Sequence, residues 1–390
     1  MLKLCVVTHY YRSDNYGGNL QSYALTQFLN SLDFISSEQL CYAKKYNEAK
    51  KKLSSIINPI KVSRYVLRKI YCRVEDRKHK NDLILRRNAI LKFNSECIKH
   101  TDKVCGRTNA QEFVNDFDVF IVGSDQVWNP LWCDDVFLLN FVPQDKIKLS
   151  YAAGVSAREL TSKQVDMFKQ ALKTYTAISV RESNGVKLLQ PLTNKKVENV
   201  IDPTLLLTAN EWDKICSYEI VDQKYIFCYF LGGVGKYKKL ITKFAKKNNL
   251  KIVNLPHLCG YQFSDERFAD YKLYEVSPAD FISLIKYAEY VFTDSFHASV
   301  FSHIYKRNFF VFNRKGFKAM NDRIYSLTDL FDTGDRFCDS KEKCTLEYIE
   351  SLPPINYDRE FPKFEAMKEK SINFLKDNLK KAEEKLNGVD

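Results

Sequence analysis

No apolar run in this sequence approaches the ~20 residues a bilayer-spanning helix needs. The opening MLKLCVVT carries one Lys and lacks both a long apolar core and a cleavage site. A soluble, cytoplasmic protein is the expectation. No two of the 11 cysteines form a CxxC pair, and an odd number cannot close into a disulfide framework. They read as reduced thiols filling cores. Cys97, His100 and Cys105 lie close in sequence, but nothing nearby completes zinc-type spacing, so no metal site is expected. Glycine and proline are sparse, at 13 and 10 of 390 residues, which excludes collagen-like and low-complexity chains. Neither a P-loop nor a GxGxxG fingerprint occurs. What is there is globular: 45% hydrophobic, 14% aromatic and 28% charged residues, with length for two domains.

The net charge is +12, and one segment carries it: residues 41–103 hold 18 Lys/Arg against 6 Asp/Glu. Within it, Val62, Val66, Ile70 and Val74 recur every four residues, while Arg64, Arg68, Arg73 and Arg77 fill other faces. The pattern predicts a basic amphipathic helix over 62–77. Three readings compete: a helix packed on its own domain with a solvated charged face, contact with an anionic membrane or a lipid-linked diphosphate, and nucleic-acid binding. No helix-turn-helix, zinc finger, RNP or KH signature supports the last, and nucleic acid is not the expected partner.

Short apolar runs alternate with helical periodicity along the chain. Leu2–Thr8 predicts a strand, and Leu20, Ala24, Leu25, Phe28, Leu29 and Leu32 a helix after a glycine loop. Strands follow at Asp118–Val122, Lys148–Ala153 and Ala177–Val180, with a helix at Lys163–Tyr175. The second half repeats the alternation through KYIFCYFLGG, KIVNL, YVFTD and NFFVF, and a charged helix closes the chain near Phe364–Leu386. Such alternation argues for mostly parallel sheets. The expected fold class is α/β, with two Rossmann-like domains, a cleft between them and a C-terminal helix. The expected divisions are 1–202 with a basic helical insertion at about 44–103, then 203–350, then a tail and helix at 351–390.

Open α/β sheets bind ligands beyond the carboxyl ends of their strands, where this sequence concentrates polar residues. In DNYGGNLQSYAL, Gly17 and Gly18 permit close backbone approach or positive φ, and the following helix start suits an anion. An ordinary tight turn explains them equally well. In GSDQVWNP, Asp125 suits a general base or a hydroxyl-binding carboxylate, and Trp128 offers a face for a sugar ring. The competing reading is a helix cap beside a buried Trp. In TDSFHASVF, Asp294 or Ser295 caps a helix whose first turn holds His297. The helix terminus disfavours imidazolium by ~0.3–1 kcal/mol, whereas a phosphate ~4 Å away at an effective dielectric of 20 favours it by ~4 kcal/mol. A bound phosphate would therefore charge His297, which then has a proton to give. Arg181, at a strand end, suits bidentate phosphate or carboxylate contact, with pairing to Glu182 as the alternative. Arg314 and Lys315 add cations just beyond NFFVF. Asp202 sits at the joint between the halves, where a hinge cap and a ligand contact are not distinguished by sequence.

In order, NYGGNLQSYAL, DVFIVGSDQVWNP, SYAAGVS, ISVRESNGVKLL, VIDPTLLL and YVFTDSFHASVF resemble the polysaccharide pyruvyltransferase family, over about Met1–Phe312. The resemblance implies a glycosyltransferase-B-like pair of Rossmann domains. It also implies transfer of the enolpyruvyl unit of phosphoenolpyruvate to two sugar hydroxyls, with no required metal or cofactor. Arg181 resembles the family's phosphoenolpyruvate-binding arginine and His297 its motif histidine. Many members have Arg two positions before that histidine; Ser295 stands there in this chain, so Arg314 or Lys315 is expected to supply the second cation.

The expected donor site is thus Arg181, His297, Ser295, Arg314, Lys315, Gly17 and Gly18. The acceptor is expected at Asn15, Asp125 and Trp128, with His297 and Asp125 catalytic. The expected acceptor is a sugar in a surface polysaccharide precursor. If that precursor is lipid-linked, residues 62–77 would meet the inner membrane face. A nucleotide-sugar glycosyltransferase on the same fold and a non-catalytic binding protein are the alternatives.

Overall fold

The computed structural model describes residues 1–44, 74–75, 77–314 and 318–388. Among them, two parallel sheets form the frame. The first joins β1 (Leu2–Val7), β2 (Ile35–Gln39), β3 (Val119–Val122) and β4 (Ile147–Ser150) in the order β2-β1-β3-β4. A parallel pair, β5 (Ile178–Val180) and β6 (Val197–Asn199), extends it through single bridges from Leu149 to Ala177 and from Ala153 to Val180. The second sheet runs β12-β11-β10-β7-β8-β9. Its strands are β7 (Tyr225–Tyr229), β8 (Lys251–Asn254), β9 (Tyr271–Lys272), β10 (Tyr290–Thr293), β11 (Asn308–Phe312) and β12 (Phe337–Cys338).

The central strands are buried on both faces, which is why VFIV and YIFCY read as continuous apolar runs rather than alternating ones. Each such side chain contributes about 1.5–3 kcal/mol by leaving water. Strand β2, ISSEQ, is the exception. It pairs with β1 from Leu2–Ile35 to Val6–Gln39 and alternates buried and half-buried positions.

The helices are α1 (Tyr16–Asn30), α2 (Lys80–Cys97), α3 (Ser162–Leu172), α4 (Ser183–Leu189), α5 (Ala209–Asp213), α6 (Lys238–Lys247), α7 (Pro278–Lys286), α8 (Phe296–Ile304), α9 (Lys318–Leu330), α10 (Leu346–Ser351) and α11 (Pro362–Leu386). Local chemistry sets several starts. Asn15 caps α1, Thr161 with Gln164 and Ser277 with Asp280 form capping boxes, and Pro278 occupies the first turn of α7.

Side chains from α1, α2 and α11 help tie the two halves together. Tyr16 donates its hydroxyl to the Val276 carbonyl at 2.9 Å and stacks on Phe281. From α2, Arg86 donates to the Pro256 carbonyl at 2.9 Å, while Asn94 donates to Asn19 at 2.9 Å. The last helix spans both halves: Ser371 Oγ accepts the Ile201 amide proton at 3.0 Å, and Phe364 stacks on Phe331 at 4.5 Å. The predicted basic helix over 62–77 lies outside the described residues apart from Val74, Glu75 and Arg77.

Candidate functional site

The carboxyl ends of β1, β3, β5, β6 and β10 converge where the two halves meet. Asp202, just beyond β6, is at the centre and is fully buried. Its Oδ1 accepts from the Thr204 amide (3.1 Å) and hydroxyl (2.7 Å), capping the turn 203–205. Its Oδ2 accepts from Arg181 Nη1 at 2.8 Å and from Ser124 Oγ at 3.2 Å, and lies 3.6 Å from His297 Nε2. The residue thus caps the joint and holds two candidate site side chains at once. Burial alone would push its carboxyl up, but the His297 imidazole and the Arg181 guanidinium outweigh it and hold the group well below the usual carboxylate range.

Arg181 is also buried, and its Nε and Nη2 donate to Glu182 Oε1, both at 3.3 Å. Asp125 Oδ1 is 3.8 Å from Nη2. Burial opposes its charge, yet Glu182, Asp202 and Asp125 together keep its pKa above the ordinary value. The pairing with Glu182 is therefore real but internal, not a surface ion pair. The ring of Phe296 lies 4.8 Å from the guanidinium carbon.

His297 reaches this cluster from the first turn of α8, and no hydrogen bond reaches its buried Nε2 among the described residues. Its ring presses against Gly17 of α1, where a Cβ would sit 2.7 Å from Cε1 and closer still to Nδ1. Gly17 serves close approach, not positive φ. The glycine loop does not offer open amides: Asn15 Oδ1 already accepts from the Gly17 and Gly18 N–H groups, at 3.0 and 3.4 Å. The anion cradle expected at Gly17 and Gly18 is corrected on that ground.

Asp125 adopts φ 55°, in the left-handed region Asp tolerates better than most side chains. Its carbonyl accepts from the Gly154 amide at 2.7 Å, a spacing open only to glycine, since a Cβ at 154 would lie 2.5 Å from that oxygen. Trp128 is corrected outright. It is fully buried, donates Nε1–H to the Phe137 carbonyl at 3.0 Å and packs edge-on against Phe168 and Tyr175, so no face remains for a sugar.

Ser295 caps α8 by accepting from the Ala298 amide. Asp294 accepts from the Leu231 and Gly232 amides, both at 2.7 Å, and pairs with Arg314 at 3.2 Å. Arg314 is thus already neutralised, and Lys315 lies outside the described residues. Asn15, Gly232, Lys236, Asp294 and Arg314 line an open cleft of about 750 Å³ between the two halves.

Sequence reasoning missed Arg323. It projects from α9, a helix that was not anticipated, is 7% exposed, and has no hydrogen bond or ion pair among the described residues. Burial and the nearby Arg181 and Arg314 lower its pKa to about 10, so it remains charged at neutral pH. The available signal was an Arg beside the apolar Ile324 and Leu327, which is common on ordinary amphipathic helices.

Two metal candidates can be weighed. Among the described residues Cys97, His100 and Cys105 do not gather as ligands. His79, His257 and Glu266 do, with candidate atoms within 4.8 Å of one another. The Gln262 amide, however, donates to His257 Nδ1 at 3.1 Å, which places the ring proton on Nε2, and Nε2 donates to Glu266 at 3.0 Å. With both nitrogens so engaged, His257 has no lone pair for an ion. The cluster is a hydrogen-bonded clasp between the segment preceding α2 and the second sheet.

A family model described as polysaccharide pyruvyl transferase matches residues 15–316, well over half of the sequence and including Asp125, Arg181, Asp202, His297 and Arg314. The chain belongs to that family. No curated protein matches it significantly. Among solved structures, this pyruvyl transferase family member is similar to three UDP-GlcNAc 2-epimerases. The one from Rickettsia bellii has TM-score 0.57 at 11% identity, covering 98% of this chain and 97% of that one. The one from Methanocaldococcus jannaschii has TM-score 0.52 at 11%, covering 96% and 99%. The one from Neisseria meningitidis has TM-score 0.50 at 13%, covering 98% and 100%. At such identities the likeness shows the fold alone: two Rossmann-like domains in a glycosyltransferase-B-like arrangement. Among the described residues no helix is long and apolar enough to cross a membrane.

Proposed function

We propose that the protein transfers the enolpyruvyl unit of phosphoenolpyruvate to two hydroxyls of a sugar in a surface polysaccharide precursor, forming a pyruvate ketal and releasing phosphate. The observation that carries this reading is the buried assembly of Arg181, Asp202 and His297, held at the junction of the two halves. Arg181, committed to Glu182 and Asp202, fixes this cluster in place and gives a preorganised frame against which a small anionic donor can be held. In the reaction, one hydroxyl proton ends on the donor's methylene carbon, making the methyl group, and the other leaves with phosphate. Both hydroxyl oxygens bond to the former enol carbon as its bond to the phosphate oxygen breaks.

In this reading His297, whose Nε2 lies 3.6 Å from Asp202 Oδ2, hands a proton to the methylene carbon. Asp125, beside Arg181, orients or deprotonates the attacking hydroxyl. Asn15 and the 750 Å³ cleft provide the room and polar lining for the acceptor sugar. Phosphate release from phosphoenolpyruvate with a glycoside acceptor tests this. His297→Ala should keep the fold and lose turnover by at least ~100-fold, the lower range of general acid–base contributions. Near-normal turnover in that variant would remove His297 from the mechanism.

The finer reading places the acceptor on a lipid carrier at the inner membrane face, with the basic segment as the contact, since 41–103 carries the chain's entire surplus of positive charge. Flotation with anionic liposomes should be lost when Arg64, Arg68 and Lys69 are neutralised. Equal flotation would sink it.

A further inference from the structure

A guanidinium kept out of water without a hydrogen-bonding partner is an expensive feature for a fold to retain, and such a group usually meets its partner in a ligand. Arg323 is in that position. Its Nε is buried without a partner, and the whole side chain makes no hydrogen bond or ion pair among the described residues. On one side it packs over the Phe296 ring, 5.6 Å from its centre, and Arg181 packs over the same ring at 4.8 Å. The two arginines come from different halves of the molecule, one after β5 and one on α9, yet share one cavity of about 330 Å³ with Asn199, Asp202 and Phe296. That is at the small end of ligand pockets, which run roughly 300–1,000 Å³. It suits a three-carbon phosphorylated acid better than a nucleotide sugar.

The donors of the two arginines differ. Arg181 commits Nε, Nη1 and Nη2 to Glu182 and Asp202. Among the described residues nothing engages the Arg323 fork, the geometry that receives two phosphate oxygens at once. The geometry points to Arg323 as the cation that grips the donor's phosphate, closing the cavity from the second half opposite Arg181. The assignment rests on the reading that the donor is a small phosphorylated acid. It differs from the expectation that Arg314 or Lys315 fills this role: Arg314 is already paired with Asp294, and Lys315 lies outside the described residues.

The test is thermal unfolding of the full chain and its Arg323→Met and Arg323→Lys variants, each alone, with inorganic phosphate and with phosphoenolpyruvate. Wild type should gain stability with both ligands. Unliganded Arg323→Met should melt at or above the wild-type temperature, because a like charge near Arg181 is removed, and its affinity for both ligands should fall by more than tenfold. Arg323→Lys should recover part of that loss. If Arg323 only braced Phe296, Arg323→Met would melt lower unliganded and keep its ligand response, and the assignment would fall while the donor reading stood. If wild type responds to neither ligand, the donor reading fails and takes this assignment with it.

Discussion

Replacing Gly17 with Ala is a sharp probe of how the two halves hold His297. Position 17 is in the first turn of α1, where exchanging Gly for Ala should stabilise a helix by roughly 0.5–1 kcal/mol. Here the added Cβ would lie 2.7 Å from His297 Cε1 and nearer still to Nδ1 and Cγ. Ordinary contact begins near 3.4 Å, so the ring must retreat by about 1 Å or more. It has little room: His297 is buried, with Phe296 beside it and Asp202 at 3.6 Å. Overpacking of this kind costs roughly 1–3 kcal/mol, which offsets the intrinsic gain and leaves a net loss of up to about 2.5 kcal/mol. A displacement of ~1 Å in a positioned group costs about 100-fold in rate. Urea unfolding measures the first quantity and phosphate release the second. Gly334→Ala is the control, since its Cβ would meet nothing within 4 Å. A Gly17→Ala protein as stable and active as wild type would show that α1 and α8 do not approach as described.

Asp202→Asn should lower stability by about 3–5 kcal/mol in urea titrations, because Arg181 would lose its shortest counter-charge inside the fold. The Asp202 carboxyl is depressed in the fold, so its contribution is present above about pH 4 and is lost as pH falls below that value. His303 gives a pH dependence of the same sign in a higher pH window. Burial lowers its pKa to about 3, whereas the unfolded chain takes up that proton near pH 6.5. The unfolded state therefore binds more protons between these values, and stability should decline by up to ~2 kcal/mol from pH 6.5 to 5. His303→Leu should flatten that decline, and an unchanged slope would contradict it. Trp128→Ala should cost roughly 3–5 kcal/mol as a core cavity. Trp128→Phe should leave the KM for the acceptor unchanged, whereas a selective rise in KM would restore the sugar-stacking role.

The frame was legible wherever burial on both strand faces leaves an uninterrupted apolar run, as in VFIV, YIFCY and NFFVF. The helix at the end of the chain was legible too, and it does pack across both halves. Strand β2 was not, because ISSEQ carries no apolar run and owes its place to backbone pairing with β1. Nor was α9, and Arg323 went with it. At the site, sequence singled out Arg181, His297 and Asp202, and these three meet. It could not say which cations were already spent. The carboxylates that occupy Arg181 and Arg314 are close in sequence to strand ends but are aimed by tertiary packing. Trp128 misled for the same reason: the sequence shows a Trp near a strand end, and only packing against Phe168 and Tyr175 shows which way it faces.

The most direct measurement of the central claim is mass spectrometry of synthetic glycosides incubated with the protein and isotope-labelled phosphoenolpyruvate. The account predicts a glycoside carrying the labelled carbons as a ketal, formed in step with inorganic phosphate and absent with His297→Ala. Label transfer that persists in His297→Ala, or turnover of a nucleotide sugar with phosphoenolpyruvate untouched across the panel, would contradict it.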